Sequence, residues 1–303
     1  MMPKTLIIVT GPTGIGKTAT GIQLACYYQT EIVSADSRQI FRELTIGTAV
    51  PPPTELTMAK HHFIHSHSIT ENYNASKYET EALNLLEQLF TKYNEVIMVG
   101  GSMLYIDAVC KGIDTMPDAD PEIREMLKKR FQTGGIESLR LQLKKLDPEY
   151  YQTVDLKNPA RIIHALEICL MTGKPYSSFR TNPQKKRPFN ILKVGLNCPR
   201  EMLHEKINHR VDKMVEAGLE KEARSVYHLR HLNALNTVGY REWFACFDGE
   251  IPREKAIELI KRNSRRYARK QITWFGKDPE TMWFEPGREN EIIAALNNQI
   301  QQK

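Results

Sequence analysis

Cysteine is scarce and never closely paired. The 303-residue chain has five, at positions 26, 110, 169, 198 and 246, with no CxxC spacing. That excludes the disulfide framework of small secreted domains and leaves free thiols in a reducing compartment as the simplest reading. Long hydrophobic runs are missing too. No segment approaches the roughly 18 uncharged apolar residues of a membrane-spanning helix, so no membrane partner is expected. The opening "MMPKTLIIVTG" lacks the apolar core and cleavage site of a secretory leader, and a cytoplasmic location is expected. Internal repeats, low-complexity tracts and heptads are also absent. What is present, 41% hydrophobic and 26% charged residues, is an ordinary globular composition, long enough for one large domain or two.

The first half alternates two kinds of pattern. "TLIIV" (5–9), "EIVSA" (31–35) and "EVIMV" (95–99) are short, β-branched and apolar, as buried strands are. Helical spacing fills 17–29 and 75–93. Such alternation predicts βαβ units and a parallel sheet. From about 115 to 190 the strand runs vanish and charged helices take over. Asp120 and Pro121 mark one helix start; Asn158 and Pro159 open another that Gly173 and Pro175 close. "ILKVGL" (191–196) then reads as a strand, and long helices are expected from there to the end. The expected fold is α/β: a P-loop NTPase-like core over 1–114 and 191–303, interrupted by a helical insertion over 115–190.

After the first strand comes "GPTGIGKT" (11–18). The pattern G-x-x-x-x-G-K-[ST] has four fixed positions, so a chance match in a chain this long has odds of roughly one in a hundred at ordinary residue usage. Its place between a strand and a helix lowers those odds further. The glycines let backbone N–H groups turn onto phosphate oxygens at a helix N-terminus, Lys17 supplies a point charge, and the Thr18 hydroxyl is placed to ligate Mg²⁺. A nucleotide-hydrolysing loop also needs an acidic residue after a second apolar strand. "EVIMV" instead runs into Gly100, Gly101 and Ser102. The acid that does end a strand is Asp36, at the sheet edge where ligands bind. It could bind metal, act as a general base, or cap the turn that follows.

Two further features carry charge. In "REMLHEKINHRVDKMV" the apolar stripe Leu203, Ile207, Val211 and Met214 spans about 80°, and Arg210 falls about 20° outside it. Such an arginine either meets an anion or snorkels to water. Residues 253–277 hold nine Lys or Arg against two Glu, a surplus larger than the chain's net +6. Lys261, Arg265 and Arg269 form one helical row and Arg262, Arg266 and Lys270 the next, a basic face suited to a phosphate backbone. Tyr267 and Trp274, one heptad apart, are expected in the core. The cluster His61, His62, His65 and His67 could hold a transition metal, but no Cys or acid lies within it, and bordering a channel or the surface is the expected role.

Taken in order, "GPTGIGKT", "SADSRQIFREL", "VGGSMLYIDAV", "NPARIIHALEICLMTGKP", "VGYREW" and "YARKQITWF" resemble the tRNA dimethylallyltransferases, also called tRNA isopentenyltransferases. The similarity runs from about residue 5 to about 277 and is to the bacterial form, without the zinc finger of some eukaryotic members. The resemblance implies transfer of a dimethylallyl group from dimethylallyl diphosphate to N6 of the adenosine 3′ of the anticodon, with that base flipped into a channel. It implies Asp36 as general base and Asp36, Ser37, Arg38 and Gln39 as the segment holding the base. Gly11, Thr13, Gly14, Ile15, Gly16, Lys17 and Thr18 would contact the diphosphate, joined by Arg210. Ser102 stands where most members have Thr, at the reacting centre. Arg124, Ala160, Arg161, Ile162, Ile163, His164, Val238, Gly239, Tyr240 and Arg241 match tRNA-facing positions, with His164 replacing a common Arg. The implied partners are the tRNA anticodon stem-loop and dimethylallyl diphosphate, the implied cofactor Mg²⁺, and a monomer is expected. Two readings stay as rivals: a P-loop kinase or ATPase, for which the acid after "EVIMV" is missing, and a prenyltransferase acting on a free adenine nucleotide, which has no use for the basic segment.

Overall fold

The computed structural model describes residues 3–114, 116–117, 120–181 and 185–302. Residues 1, 115 and 303, which limit the expected segments, lie outside these. The elements in order are β1 (Thr5–Thr10), α1 (Lys17–Tyr28), β2 (Ile32–Ala35), α2 (Pro53–Leu56), β3 (His61–His62), α3 (Ala75–Phe90), β4 (Glu95–Gly100), α4 (Met103–Lys111), α5 (Pro121–Leu146), α6 (Pro148–Thr153), α7 (Pro159–Thr172), β5 (Asn190–Leu196), α8 (Arg200–Glu216), α9 (Leu219–Ser225), α10 (Tyr240–Phe247), α11 (Arg253–Phe275), β6 (Thr281–Phe284) and α12 (Glu289–Gln301).

The six strands form one parallel sheet in the order β3-β2-β4-β1-β5-β6. β1 is buried at every position. A central parallel strand is covered on both faces, which is why "TLIIVT" reads as a continuous apolar run and does not alternate. One face carries Ile7, Val9, Ile97 and Val194 against Ile22, Leu24, Leu203 and Ala268 from the helices. The other carries Leu6, Ile8, Val33 and Met98 against Tyr78, Leu86 and Ile106. A third core, around Trp243, Tyr240, Leu235, Val211 and Ile260, joins α8, α10 and α11. Because all strands are parallel, the segments after β1, β2, β4 and β5 emerge at one edge. That edge holds the phosphate loop, Asp36, Gly101 with Ser102, and Asn197.

Two strands depart from the expectation. β3 has only two residues and pairs with β2 at the sheet's end. β6 interrupts the helices expected to run to the C-terminus, pairing Lys193 to Leu196 with Thr281 to Phe284. "TMWF" is too short for periodicity to reveal and is an edge strand in which only Thr281 is buried. Lys193 bonds Asp278 just before it and holds the register.

The chain divides into two units, 1–110 with 186–303, and 111–185. The second unit is helical. The Asp120 carboxylate accepts from the Glu122 amide at 2.8 Å and caps α5, and the Asn158 side chain caps α7 at the Arg161 amide. Gly173, at φ 67°, ends α7 in the left-handed conformation that glycine adopts without strain. α5 is interrupted at Gly135, whose φ of 65° departs from the helical backbone. Leu127, Leu139, Leu143, Ile162 and Leu166 are its fully buried centre. No helix among the described residues is long and apolar enough to cross a membrane.

Candidate active site

The phosphate loop folds as its glycines require. Gly11 has φ 142°, and a Cβ there would stand 2.5 Å from the Leu196 carbonyl oxygen of β5. Gly16, at φ 110°, is the left-handed N-cap of α1. Ile15 is buried in the core, so only its backbone is offered to a ligand. The loop is tied at Thr13. Its amide donates to Gln271 Oε1 at 2.8 Å, and its hydroxyl accepts from Arg210 Nη1 at 3.0 Å. Arg210 therefore turns toward the loop, which selects the anion-facing reading of the two the sequence left open.

Gln271 also explains why no acid follows "EVIMV". Its Nε2 donates to the Gly101 carbonyl at 2.8 Å. A Cβ on Gly101 would lie 2.3 Å from that nitrogen, and one on Gly100 would lie 2.2 Å from the Ala35 carbonyl. The glycines let β4 approach β2 and α11 so closely that a side chain is sterically barred. The place a nucleotide hydrolase gives to its carboxylate is filled by a buried amide joining β4 to the phosphate loop.

Asp36 serves two ends at once. Oδ1 accepts from the amides of Arg38 at 2.9 Å and Gln39 at 3.2 Å, which is the turn-capping role. Among the described residues Oδ2 has no hydrogen-bond partner, and Asp36 lines two cavities. One oxygen fixes the carboxylate and the other is left uncommitted. The turn it caps is held from all sides. Ser102 Oγ accepts from the Ser37 amide at 2.7 Å and donates to Ser37 Oγ at 3.0 Å. Arg38 reaches the carbonyls of Asn233 and Ala234. Gln39 donates to the carbonyls of Thr48 and Ala49.

Three adjoining cavities meet here, all within the first unit. One of about 640 Å³ contains the phosphate loop, Asp36, Arg210 and His61. A second, about 350 Å³, shares Thr13, Asp36 and Arg210 with it and extends to Gly47, Val238 and Arg241. A third, about 490 Å³, is walled by Ser37, Arg38, Ser102, Tyr105 and Asn233. Tyr267 lines all three. The expectation that it packs in the core is overturned, and so is that for Trp274. They are 36% and 40% exposed. The buried face of α11 runs through Ala268 and Phe275, each one residue on from these, with Gln271 between them. Trp274 instead bonds Asp107 at 2.9 Å.

Electrostatically the cavity is prepared for an anion. Burial, then the Arg210 charge, pulls the Lys17 ammonium down to about 7, against the opposing pull of Asp36. Burial lowers Arg210 as well, again offset by Asp36. Two buried cations sharing one carboxylate are both stabilised by a further negative charge. The Tyr267 phenol is pushed up to about 12 by burial and by Asp36, partly relieved by Arg38, and stays neutral.

Among the described residues no three His, Cys, Asp or Glu converge as a metal site. The four histidines have separate partners instead. His61 bonds the Ala59 carbonyl, His62 bonds Glu31, His65 bonds Thr45, and His67 packs on Tyr73. The hard oxygen groups lining the loop cavity include the Thr18 hydroxyl and the carboxylates of Asp36 and Glu55. Hard oxygens, few in number, suit Mg²⁺ shared with phosphate oxygens and water.

The remaining expected residues divide. Val238 and Arg241 line the second cavity. Tyr240 does not: it is fully buried, and its hydroxyl donates to Glu222 at 2.6 Å. In the helical unit Ala160 and Arg161 are exposed at the start of α7, whereas Ile162 is fully buried in that unit's core. A side chain in a packed core reaches no macromolecular partner, so Ile162 and Tyr240 are corrected to structural roles. Arg124 donates to buried Glu167 at 2.6 Å, with His164 beside the same carboxylate. In the basic segment Lys261 is neutralised by Asp212 at 2.5 Å. Arg266 and Arg269 are exposed, and Arg265 bonds Asn208.

Glu222 carried no signal in the sequence, being one charge among many in α9. Its carboxylate accepts the amides of Thr45 at 3.0 Å, Ile46 at 2.7 Å and Gly47 at 2.8 Å. With Tyr240 it anchors the 45–49 loop that walls the second cavity. Gln271 did carry a signal, a lone amide on an apolar helical stripe.

A model of the family IPP transferase matches residues 39–278. The chain is 54% identical over 300 residues to tRNA dimethylallyltransferase 1 of Bacteroides fragilis, covering 99% of this chain and 100% of that one. It is 48% identical over 299 residues to the tRNA dimethylallyltransferase of Cytophaga hutchinsonii, with 99% and 98% covered. The structure is similar to the full-length tRNA isopentenylpyrophosphate transferase of Bacillus halodurans, with TM-score 0.73, 31% identity, and 99% and 97% covered. It also has the fold of a eukaryotic dimethylallyltransferase acting on tRNA, with TM-score 0.82, 22% identity, and 99% and 80% covered.

Proposed function

This chain belongs to the IPP transferase family, and on that premise we propose that it transfers the dimethylallyl group of dimethylallyl diphosphate to tRNA, at N6 of the adenosine 3′-adjacent to the anticodon. The observation that carries the reading is the divided carboxylate of Asp36: Oδ1 is fixed by two amides, Oδ2 has no hydrogen-bond partner among the described residues, and the residue lines the cavity that holds the phosphate loop. An exocyclic adenine amine is a weak nucleophile, because its lone pair is delocalised into the ring. It needs an aligned electrophile and a base within reach. The amine nitrogen bonds to C1 of the dimethylallyl group as the C1–oxygen bond breaks. Its proton passes to Asp36 Oδ2, and the electron pair leaves with the diphosphate.

Lys17, Arg210 and the amides of Gly14 to Thr18 take the charge of the leaving group. Thr18 would hold Mg²⁺, which supplies further neutralisation when bound. Ser102 and Ser37 keep the turn in place, and Arg38 and Gln39 frame the flipped base. Arg241 near the second cavity, Arg124, Arg161 and His164 on the helical unit, and Arg265, Arg266 and Arg269 on α11 are the proposed tRNA contacts. Incubation with labelled dimethylallyl diphosphate, Mg²⁺ and either tRNA or AMP tests the reading. Label in tRNA is expected. Label in neither acceptor would sink it, and label in AMP alone would move the acceptor to a free nucleotide.

A further inference from the structure

A fourth cavity, about 430 Å³, lies between the start of α8 and the middle of α11. It is lined by Arg200 and His204 from α8 and by Arg262, Arg265, Arg266 and Arg269 from α11. We propose that this cleft seats backbone phosphates of the RNA substrate outside the channel that takes the reacting base. The proposal rests on tRNA being the acceptor.

The first argument is unbalanced charge. Among the described residues no acidic side chain lines the cleft. Among the described residues none of the five arginines has a carboxylate within ion-pair distance. Their neighbours on the same helix do. Arg253 pairs with Glu220 at 3.0 Å, Lys255 with Glu258 at 2.7 Å and Lys261 with Asp212 at 2.5 Å. The balanced cations end where the cleft begins. Within it, burial and then Arg200, Arg265 and Arg269 press the His204 imidazole toward its neutral form, against Glu201.

The second argument is placement. Arg200 is the first residue of the 17-residue helix α8, where the helix dipole disfavours a cation and favours an anion. A cation kept there adds its guanidinium fork to the free amides of the helix start, a combination suited to phosphate oxygens. The third argument is continuity. α8 and α11 are the helices that present Arg210 and Tyr267 to the cavities around Asp36. Arg200 and Arg210 are ten residues apart, about 15 Å along the helix. A strand with one base in the channel has phosphates within that reach. A single free phosphate would engage one or two of the five guanidinium groups, whereas a strand can engage them in succession.

The test uses the full chain with Arg200→Glu and Arg262→Glu combined. tRNA binding is measured across a salt series, and inorganic diphosphate binding is measured alongside. The expected result is tRNA affinity lowered about tenfold or more at low salt, with the log–log salt slope shallower by about 1.5 to 2, and diphosphate affinity unchanged. Arg200→Gln with Arg262→Gln should show a smaller loss in the same direction at a native melting temperature. Wild-type affinity and slope in the charge-reversed protein would overturn the cleft. Failure of the wild-type chain to bind tRNA would instead sink the broader reading. Tripolyphosphate is added in the presence of saturating diphosphate. If it binds the wild-type chain and not the charge-reversed one, while tRNA affinity stays equal in both, the occupant is a free anion and the proposal falls.

Discussion

The phosphate loop and the wall opposite it are built by different rules. The loop is eight consecutive residues whose own backbone makes the cradle. The wall around Asp36 is assembled from the 36–39 turn, the 45–49 loop, Glu222, Tyr267 and Gln271, which lie up to 235 residues apart in sequence. A binding surface made of main-chain amides is written locally, because glycine positions alone set the backbone path. One made of side chains exists only when remote helices dock. Gln271 joins the two regions by bonding Thr13 on one side and Gly101 on the other.

The contrast predicts separable defects. Asp36→Asn keeps the capping oxygen and removes the base. Turnover with tRNA should fall about 10²- to 10⁴-fold, with diphosphate and tRNA affinity nearly intact. Near-normal turnover in a single-turnover assay would show that the wall does not supply the base. Lys17→Met should strike the loop alone, weakening diphosphate binding by one to two orders of magnitude at pH 6, the size of a lost charge-assisted hydrogen bond, without changing tRNA affinity.

Lys17 also sets a pH signature. Its pKa is about 7 in the folded chain, against 10.5 for a lysine free in water. Between those values the unfolded chain binds more protons, so the stability contributed at this site rises with pH over that window. Diphosphate, which needs the charged ammonium, should bind more weakly as pH rises through 7. Calorimetry of diphosphate binding should detect proton uptake in the wild-type chain, and Lys17→Met should abolish it.

Glu222→Ala leaves three amides and a tyrosine hydroxyl without their acceptor, about 1–3 kcal/mol of destabilisation. It should raise the KM for tRNA several-fold while leaving diphosphate affinity unchanged. Equal losses in both substrates would mean that the loop and the wall are not separable through this residue. The smallest effect is expected at the junction. Gln271→Glu keeps an acceptor for Thr13 but loses the donor to Gly101. Both substrate affinities should fall together, each by a few-fold, and a change in only one would show that the two halves do not communicate through α11.

Much of this was legible in the chain itself. Strands β1, β2, β4 and β5, the helix caps at Asp120 and Asn158, the phosphate loop and Asp36 all follow from local pattern. β3 and β6 did not: β3 has two residues, and β6 is an edge strand in which only Thr281 is buried, so neither shows the continuous apolar run of β2. Tyr267 was misassigned because a heptad spacing cannot tell a buried stripe from one turned by one residue toward a cavity. Tyr240 and Ile162 lie inside motifs that resemble tRNA-facing segments, yet a helix turns some residues of any such segment inward.

By itself the sequence determined the phosphate cradle, the strands from which the sheet is built and the presence of a carboxylate beside the loop, because these depend on glycine, β-branched runs and neighbouring residues. Only the tertiary structure decided that Asp36 would offer one oxygen and commit the other, that the absence of an acid after β4 is a matter of space, and that the arginines of two helices share one cleft. Those outcomes depend on which helix faces press together, and packing brings together residues whose separation along the chain leaves no mark in either segment.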